Sequence, residues 1–317
     1  SSWSSADIVA KVGPLDAEEA GSLKEGAIVA CLCKPHRNLD TVRTLMDRGV
    51  SALALELIPR TTRAQSMDVL SSQANIAGYK AALLAAGRVP RYFPMFMTAA
   101  GTVKPSRVVV IGAGVAGLQA IATCRRLGAV VEVSDIRAAA KEEAESLGAR
   151  FIEVPKAEGE GEGEGGYAKE MKEDFLRRQR EILAQRIAAS NAVITTALIP
   201  GRPAPRLVSK DMVEGMKPGS VVVDLAGEEG GNCELSRADE EVVHNGVTIL
   251  APTDLASQLA QDASMLFSRN VLNLLKLVVR EEGAVLDLDD EIIAGALLTH
   301  GGEVRHAPTR EKLEGNH

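Results

Sequence analysis

The clearest chemical signal in the chain is a short glycine run, Gly112-Ala-Gly114-Val115-Ala-Gly117. It follows an uninterrupted apolar stretch, residues 108–111, and opens a helical one. In that setting each glycine has its own task. Gly112 permits a tight turn, Gly114 lets backbone approach a pyrophosphate, and Gly117 lets helix and strand pack closely. The N-terminus of the following helix offers N–H groups and a partial positive charge to phosphates. Glycines alone are weak evidence, but the next strand, 130–134, leads into Asp135, at the separation of roughly 20 residues that places an acid on a ribose. A carboxylate there accepts bonds from both ribose hydroxyls and repels a 2′-phosphate, which favours NAD(H) over NADP(H). Arg137 stands close by and slightly weakens that discrimination. Residues 195–200 and 224–231 also follow strands, where open α/β sheets place ligand loops. Taken alone, each reads as an ordinary strand-to-helix loop.

A second polar cluster comprises Arg60, Gln65, Asp68 and Ser71. The last three fall at i, i+3 and i+6 around a helix start and present polar groups along one face. Arg60 follows Pro59 at the end of an apolar strand. On physics alone a capped helix with a solvated face is the simpler account, since capping explains Ser66 and Asp68. The five histidines, His36, His244, His300, His306 and His317, stand in no catalytic setting. The four cysteines, Cys31, Cys33, Cys124 and Cys233, form no CxxC pair and no metal-like cluster with histidine. Cys31 and Cys33 alternate on a strand-like run and so share a face, as reduced packing cysteines.

The elements that must hold these groups alternate strand and helix. Strands are expected at residues 27–32, 50–57, 108–111, 130–134, 151–154, 192–196, 220–225 and 247–250. Helices are expected at 40–47, 66–84, 117–127, 138–147, 175–190, 210–216 and 256–279. Residues 92–104 read as a connector, 158–166 as a low-complexity Glu/Gly run, and 287–300 as a tail returning to the first lobe. The expected fold is α/β, with two Rossmann-like lobes built on parallel sheets, long helices joining them and an NAD cleft between. The first lobe takes residues 1–78 plus 256–317, and the NAD(H)-binding lobe takes 79–255.

A chain of 317 residues suits two such lobes. The formal net charge of -7 and the 3% aromatic content argue against nucleic acid as a partner. No signal peptide is visible at residues 1–5. The longest uncharged run, between Arg107 and Arg125, carries three glycines in a turn pattern and reads as strand, loop and helix rather than a membrane span. The chain is therefore expected to be soluble, with a membrane-bound partner left open.

Beyond these local readings, the run Glu56-Leu-Ile-Pro-Arg-Thr-Thr-Arg-Ala-Gln-Ser-Met-Asp-Val-Leu-Ser-Ser-Gln-Ala-Asn-Ile-Ala-Gly-Tyr79 closely resembles the signature of domain I of proton-translocating NAD(P) transhydrogenases. So do Phe93-Pro-Met-Phe-Met-Thr-Ala-Ala-Gly-Thr-Val-Lys-Pro105, Gly166-Tyr-Ala-Lys-Glu-Met171, residues 195–200, Gly230-Gly-Asn232 and Thr299-His-Gly-Gly-Glu-Val304. The resemblance covers nearly the whole chain, and its helix-start signature differs from that of the related alanine dehydrogenases.

The resemblance implies an NAD(H)-binding component that is a homodimer and rests on a membrane proton-channel domain, at the cytoplasmic side of the inner membrane. It implies direct, Si–Re-specific hydride transfer to NADP(H) on a separate NADP(H)-binding domain, coupled to proton translocation. Arg60, Gln65, Asp68 and Ser71 match the polar loop that positions the dihydronicotinamide: Arg60 and Asp68 orient the carboxamide and Gln65 reaches the partner's nucleotide. Tyr167 matches a tyrosine of a mobile loop that closes over NAD(H). The implied cofactor contacts are Gly112, Gly114, Val115, Gly117, Asp135, Ile136, Arg137, Tyr167, Thr196, Ala197 and Leu198. Hydride transfer between two nicotinamides needs no general acid or base, only near-attack geometry and exclusion of water.

The chain departs from the family pattern in three places. It lacks an extra N-terminal block, it has Ala256 and Gln258 where proline and arginine are expected, and Gly227 replaces a bulkier residue. The rival expectations are an alanine dehydrogenase-like NAD-dependent enzyme and a non-catalytic NAD(H)-sensing module.

Overall fold

Runs of β-branched residues with no polar interruption make central strands, because helices cover both faces of the sheet and every side chain is buried. Val108, Val109, Val110, Val193, Val222 and Val223 are all fully buried in the computed structural model. The structure describes residues 2–137, 139–153, 166–199, 201–281 and 283–315, with side chains of the helix Gly166–Ala188 described from Leu176 onward. The chain divides into two compact units, Ser1–Gln73 with Ala260–His317, and Ala74–Leu259.

The second unit is a seven-stranded sheet in the order Glu241–His244, Val247–Leu250, Val221–Asp224, Ala192–Thr195, Arg107–Ile111, Val130–Ser134, Arg150–Phe151. All its neighbours pair in parallel except the first two strands, which pair antiparallel. Val108 and Val110 face one layer, with Ala120, Ile121 and Cys124 of the helix Val115–Arg126. Val109 and Ile111 face the other, with Leu183 and Ile187 of the helix Gly166–Ala188. Numbered along the chain, the six parallel strands lie in the doubly wound order 3-2-1-4-5-6. The order reverses between Arg107–Ile111 and Ala192–Thr195, so the loops leaving those two strands flank a ready-made crevice.

In the first unit, Ile8–Ala10, Ile28–Cys31 and Ser51–Ala54 are parallel neighbours. Leu297–His300 adds to Ser51–Ala54 antiparallel, which brings the tail into this sheet as expected, and Glu303–Val304 completes a hairpin. Both sheets are therefore mixed at an edge rather than wholly parallel. One face of the sheet packs against Phe267, Val271 and Leu274 of the helix Ala260–Val278. The other packs against Val42 and Leu45 of the helix Leu39–Asp47. The sulfurs of Cys31 and Cys33 lie 3.5 Å apart in that second layer, and both residues are buried free cysteines.

The strands Glu241–His244 and Leu297–His300 and the short helices Ala17–Ser22, Glu291–Ala296 and Ala307–Leu313 were not among the expected elements, and three of the expected segments differ in form. The helix expected from Ser66 is a 3-10 helix, Thr62–Met67, followed by a kink at Asp68 and then the helix Val69–Arg88. The connector at 92–104 contains a hairpin, Phe96–Thr98 with Gly101–Val103, turned at Ala99 and Ala100, with Gly101 at φ +130° opening the second strand. The helix expected from Phe175 begins at Gly166. Of the low-complexity run, residues 158–165 lie outside the described residues. No described helix is long and apolar enough to cross a membrane.

Candidate functional site

The glycine turn is shaped by close backbone approaches. Gly112 adopts φ +96°, and a Cβ there would lie 2.7 Å from Thr196 Oγ1. A Cβ on Gly117 would lie 1.9 Å from the carbonyl oxygen of Gly112, so helix and turn touch backbone to backbone. Gly114 has nothing within 4 Å of its Cβ position and leaves the turn open on that side. As N-cap of the helix Val115–Arg126 it supplies no side-chain acceptor, so the first-turn N–H groups face outward uncapped. Behind the turn, a Cβ on Gly78 would lie 2.0 Å from the Ala116 carbonyl, and Asn75 Nδ2 donates to Gln119 Oε1 at 3.1 Å. The helix Val69–Arg88 therefore buttresses the one that starts at the turn.

Asp135 follows the neighbouring strand and its side chain is 7% exposed. Its Oδ2 accepts from the Ala113 N–H at 2.7 Å and from Arg137 Nη2 at 3.1 Å. Its Oδ1 accepts from the Arg137 N–H at 2.8 Å and Arg137 Nε at 3.1 Å. Burial pushes this carboxyl up, but the Arg137 side chain and the two backbone donors outweigh burial and hold it below the usual carboxylate range. A depressed acid contributes stability above its unfolded pKa of about 3.9 and loses it as pH falls through the lower folded value. NADH affinity is therefore expected to show no Asp135 titration between about pH 5 and 8. A fluorescence titration across that range checks this. A midpoint inside it that vanishes in Asp135→Asn would contradict the assignment.

The loop after Ala192–Thr195 is fixed from two sides. Thr196 Oγ1 donates to the Gly112 carbonyl at 3.0 Å. The fully buried Asn232 grips Ala197 twice, accepting its N–H at 3.0 Å and donating to its carbonyl at 2.8 Å. Asn232 is held in turn by its neighbour Cys233, whose N–H donates to Asp224 Oδ2 at 2.9 Å. Asp224 is fully buried and also accepts from Thr195 Oγ1, the Ala226 N–H and Ser236 Oγ. The structure thus joins Gly112, Gly117, Thr196 and Asp135 around one turn. Gly114 and Val115 open the helix beside them, with Val115 exposed. Leu198 is exposed beyond Ala197, and Ile136 is 93% exposed beside Asp135. Tyr167 lies on the first turn of the helix Gly166–Ala188, and its side chain falls outside the described set.

In the first unit the polar cluster forms around the kink. Asp68 Oδ1 accepts the Ser71 N–H at 2.8 Å and Oδ2 accepts the Ser71 hydroxyl at 2.6 Å, so these two form one unit that starts the helix. Arg60 and Gln65 are exposed. Ala64 and Met67 anchor the 3-10 helix in the core, while Arg63 pairs with Asp290. Sequence reasoning gave no role to Asn232, Asn270 or Gly78. The signal for Asn270 was an amide set among Phe267, Val271 and Leu274 of an apolar helix stripe. Among the described residues no group of three or more His, Cys, Asp or Glu is placed to hold a metal.

Comparisons with known proteins show the family. The alanine dehydrogenase/PNT N-terminal domain matches residues 1–77, and the alanine dehydrogenase/PNT C-terminal domain matches residues 81–307. An NAD(P) transhydrogenase subunit alpha protein of Rhodospirillum rubrum is 50% identical over 311 residues, covering 96% of this chain and 81% of its own. Its namesake from Rickettsia prowazekii is 42% identical over 315 residues, covering 98% of this chain and 82% of its own. The crystal structure of transhydrogenase from Sinorhizobium meliloti superposes with a TM-score of 0.86 at 46% identity, over 95% of this chain and 82% of that one. The chain belongs to the alanine dehydrogenase/PNT family and, within it, to the NAD(P) transhydrogenase alpha subunits.

Proposed function

We propose that the chain binds NAD(H) and passes hydride directly between it and NADP(H) on a partner domain of a proton-translocating transhydrogenase. One observation carries this reading: the Arg60–Ser71 segment of a transhydrogenase-type chain holds Asp68 and Ser71 rigidly at a kink while Arg60 and Gln65 stand exposed. The glycine turn and Asp135 bind the pyrophosphate and ribose, and Val115, Ile136, Arg137, Thr196, Ala197 and Leu198 line the nucleotide. Tyr167, whose side chain lies outside the described residues, completes the proposed contact set.

Arg60 and Asp68 orient the dihydronicotinamide carboxamide, Ser71 holds Asp68, and Gln65 reaches the second nucleotide. The C4–H bond of one nicotinamide breaks with its electron pair, and the same pair forms the C4–H bond of the other. No proton is exchanged with the protein, so what the residues supply is near-attack geometry and exclusion of water. The reading includes Si–Re stereospecificity, a homodimer, and a position at the cytoplasmic face of the inner membrane on a membrane domain. The exposed Tyr92, Met95, Phe96 and Met97 offer apolar surface of the kind that association covers.

The test mixes the chain with a transhydrogenase NADP(H)-binding domain and follows reduction of an NAD+ analogue by NADH with catalytic NADP(H). Turnover that needs both proteins is expected, together with no NADH production from L-alanine. Gln65→Ala is expected to lower transfer on the order of 100-fold while NADH affinity stays within about twofold. Tight NADH binding with no transfer to any partner domain would instead favour a sensing module. Alanine-dependent NADH production would favour the dehydrogenase.

A further inference from the structure

We propose that Asn270 is a positioning residue for hydride transfer, setting the kink at Asp68 that presents Arg60 and Gln65. The inference rests on the reading of the Arg60–Ser71 segment given above and adds the residue that holds it in shape.

Asn270 lies on the helix Ala260–Val278, 9% exposed, among the apolar Phe267, Val271 and Leu274. A buried amide is unfavourable there unless both its polar ends find partners. Both find them on the same short segment. Nδ2 donates to the Ser66 carbonyl at 2.8 Å, and Oδ1 lies 2.8 Å from the Ser72 hydroxyl, whose single hydrogen it shares with the Val69 carbonyl at 3.0 Å. The orientation is forced, since a carbonyl only accepts and therefore faces the amide nitrogen. Ser66 belongs to the 3-10 helix and Ser72 to the first turn of the helix that follows. The two bracket Asp68, whose φ of -73° and ψ of 89° break the helical path.

Asp68 spends both its oxygens on Ser71, inside the segment. That pairing starts the helix but does not fix how the 3-10 helix enters it. Asn270 does, by holding a carbonyl before the kink and a hydroxyl after it with one rigid planar group. Asn273 Nδ2 adds a second donor to the Ser66 carbonyl at 3.2 Å. The geometry makes Asn270 the gauge for the separation between Ser66 and Ser72, and thus for where Gln65 and Arg60 point relative to Asp68.

The test compares Asn270→Leu, Ser72→Ala and a control, Val278→Ala, which opens a cavity in the same core at the end of the helix, eight residues after Asn270. Thermal unfolding, the NADH dissociation constant and the transfer rate at saturating nucleotides are measured for each, with the NADP(H)-binding domain present. Asn270→Leu is expected to lower the transfer rate roughly 10- to 100-fold with NADH affinity within about twofold. Ser72→Ala, the milder change, is expected to lower it roughly 3- to 10-fold, and it decides the matter if Asn270→Leu does not fold. Val278→Ala is expected to lose stability and keep its rate. An unchanged rate in Ser72→Ala and Asn270→Leu, or a rate that merely follows stability through all three variants, overturns the proposal. Gln65→Ala separates the two levels. If it slows transfer while the Asn270 and Ser72 variants do not, only this inference fails. If it too leaves transfer unchanged, the functional reading fails and this inference with it.

Discussion

Replacing Gly117 with alanine is expected to weaken NADH binding roughly 10- to 100-fold and to destabilise the nucleotide-binding unit by about 1–3 kcal/mol. The new methyl would sit 1.9 Å from the Gly112 carbonyl oxygen and 3.1 Å from Thr196 Oγ1. The first of these is backbone, so no rotamer change relieves it and the turn itself must move. Moving it shifts the N–H groups of the helix's first turn, proposed above to meet the phosphates, and breaks the Thr196 bond to the Gly112 carbonyl. Gly114→Ala is the informative contrast, because its Cβ meets nothing within 4 Å. That variant is expected to unfold as the parent does and to lose NADH affinity alone. Calorimetry and a fluorescence titration of both variants check the pair. A Gly117→Ala protein with parental melting and affinity would remove the packing argument. A Gly114→Ala protein with parental affinity would remove the pyrophosphate from that face.

Asp224→Asn is expected to cost about 2–4 kcal/mol of stability, more than most single changes. Four donors converge on this carboxylate: Thr195 Oγ1 at 2.9 Å and the Ala226 N–H at 3.0 Å on one oxygen, the Cys233 N–H at 2.9 Å and Ser236 Oγ at 2.6 Å on the other. An amide group has one accepting end, so its NH2 must face a backbone N–H, that of Ala226 or of Cys233, wherever it is turned, and the hydroxyl beside it must turn from donor to acceptor. Nor is there room for relaxation, since a Cβ on Gly231 would already lie 2.8 Å from Asp224 Oδ2. The damage is expected to reach the nucleotide through Cys233 and Asn232 to Ala197, so NADH affinity falls along with the melting temperature. Ser236→Ala, which deletes one donor and leaves the carboxylate paired, is expected to cost only about 1 kcal/mol. Equal stability of Asp224→Asn and the parent in thermal or urea unfolding would show that the four bonds do not hold the loop.

The central strands were legible in the sequence because burial on both faces leaves an unbroken apolar run, as at Val108–Val110. The glycine turn and Asp135 were legible because each residue type answers a separate steric or hydrogen-bonding demand at a set spacing. Strand direction was not. Glu241–His244 and Leu297–His300, which pair antiparallel, were not read as strands at all: each is only four residues long, and its side chains look alike whichever way the chain runs. The kink was blurred because Ser66 and Asp68 are both residues that cap helices, and only the long-range bonds of Asn270 show where the 3-10 helix stops. Asn232 and Asp224 lie in segments the sequence marked, but they act through partners distant in sequence, so nothing local shows what each of them holds. Arg60 and Gln65 are exposed polar residues, and their proposed roles come from family resemblance rather than from spacing.

The four bonds on Asp135 bear on affinity. A carboxylate has about four lone-pair sites, and all four are occupied when the Arg137 side chain lies across them. A ribose diol bound there must displace Nε and Nη2 of Arg137, whose side chain is 56% exposed and free to swing into water. Loading and unloading therefore exchange one set of donors for another, and the buried charge is never left bare at either stage. An exchange of this kind lowers affinity at this contact, because the free site is already paired and binding gains only the difference between the two sets of bonds.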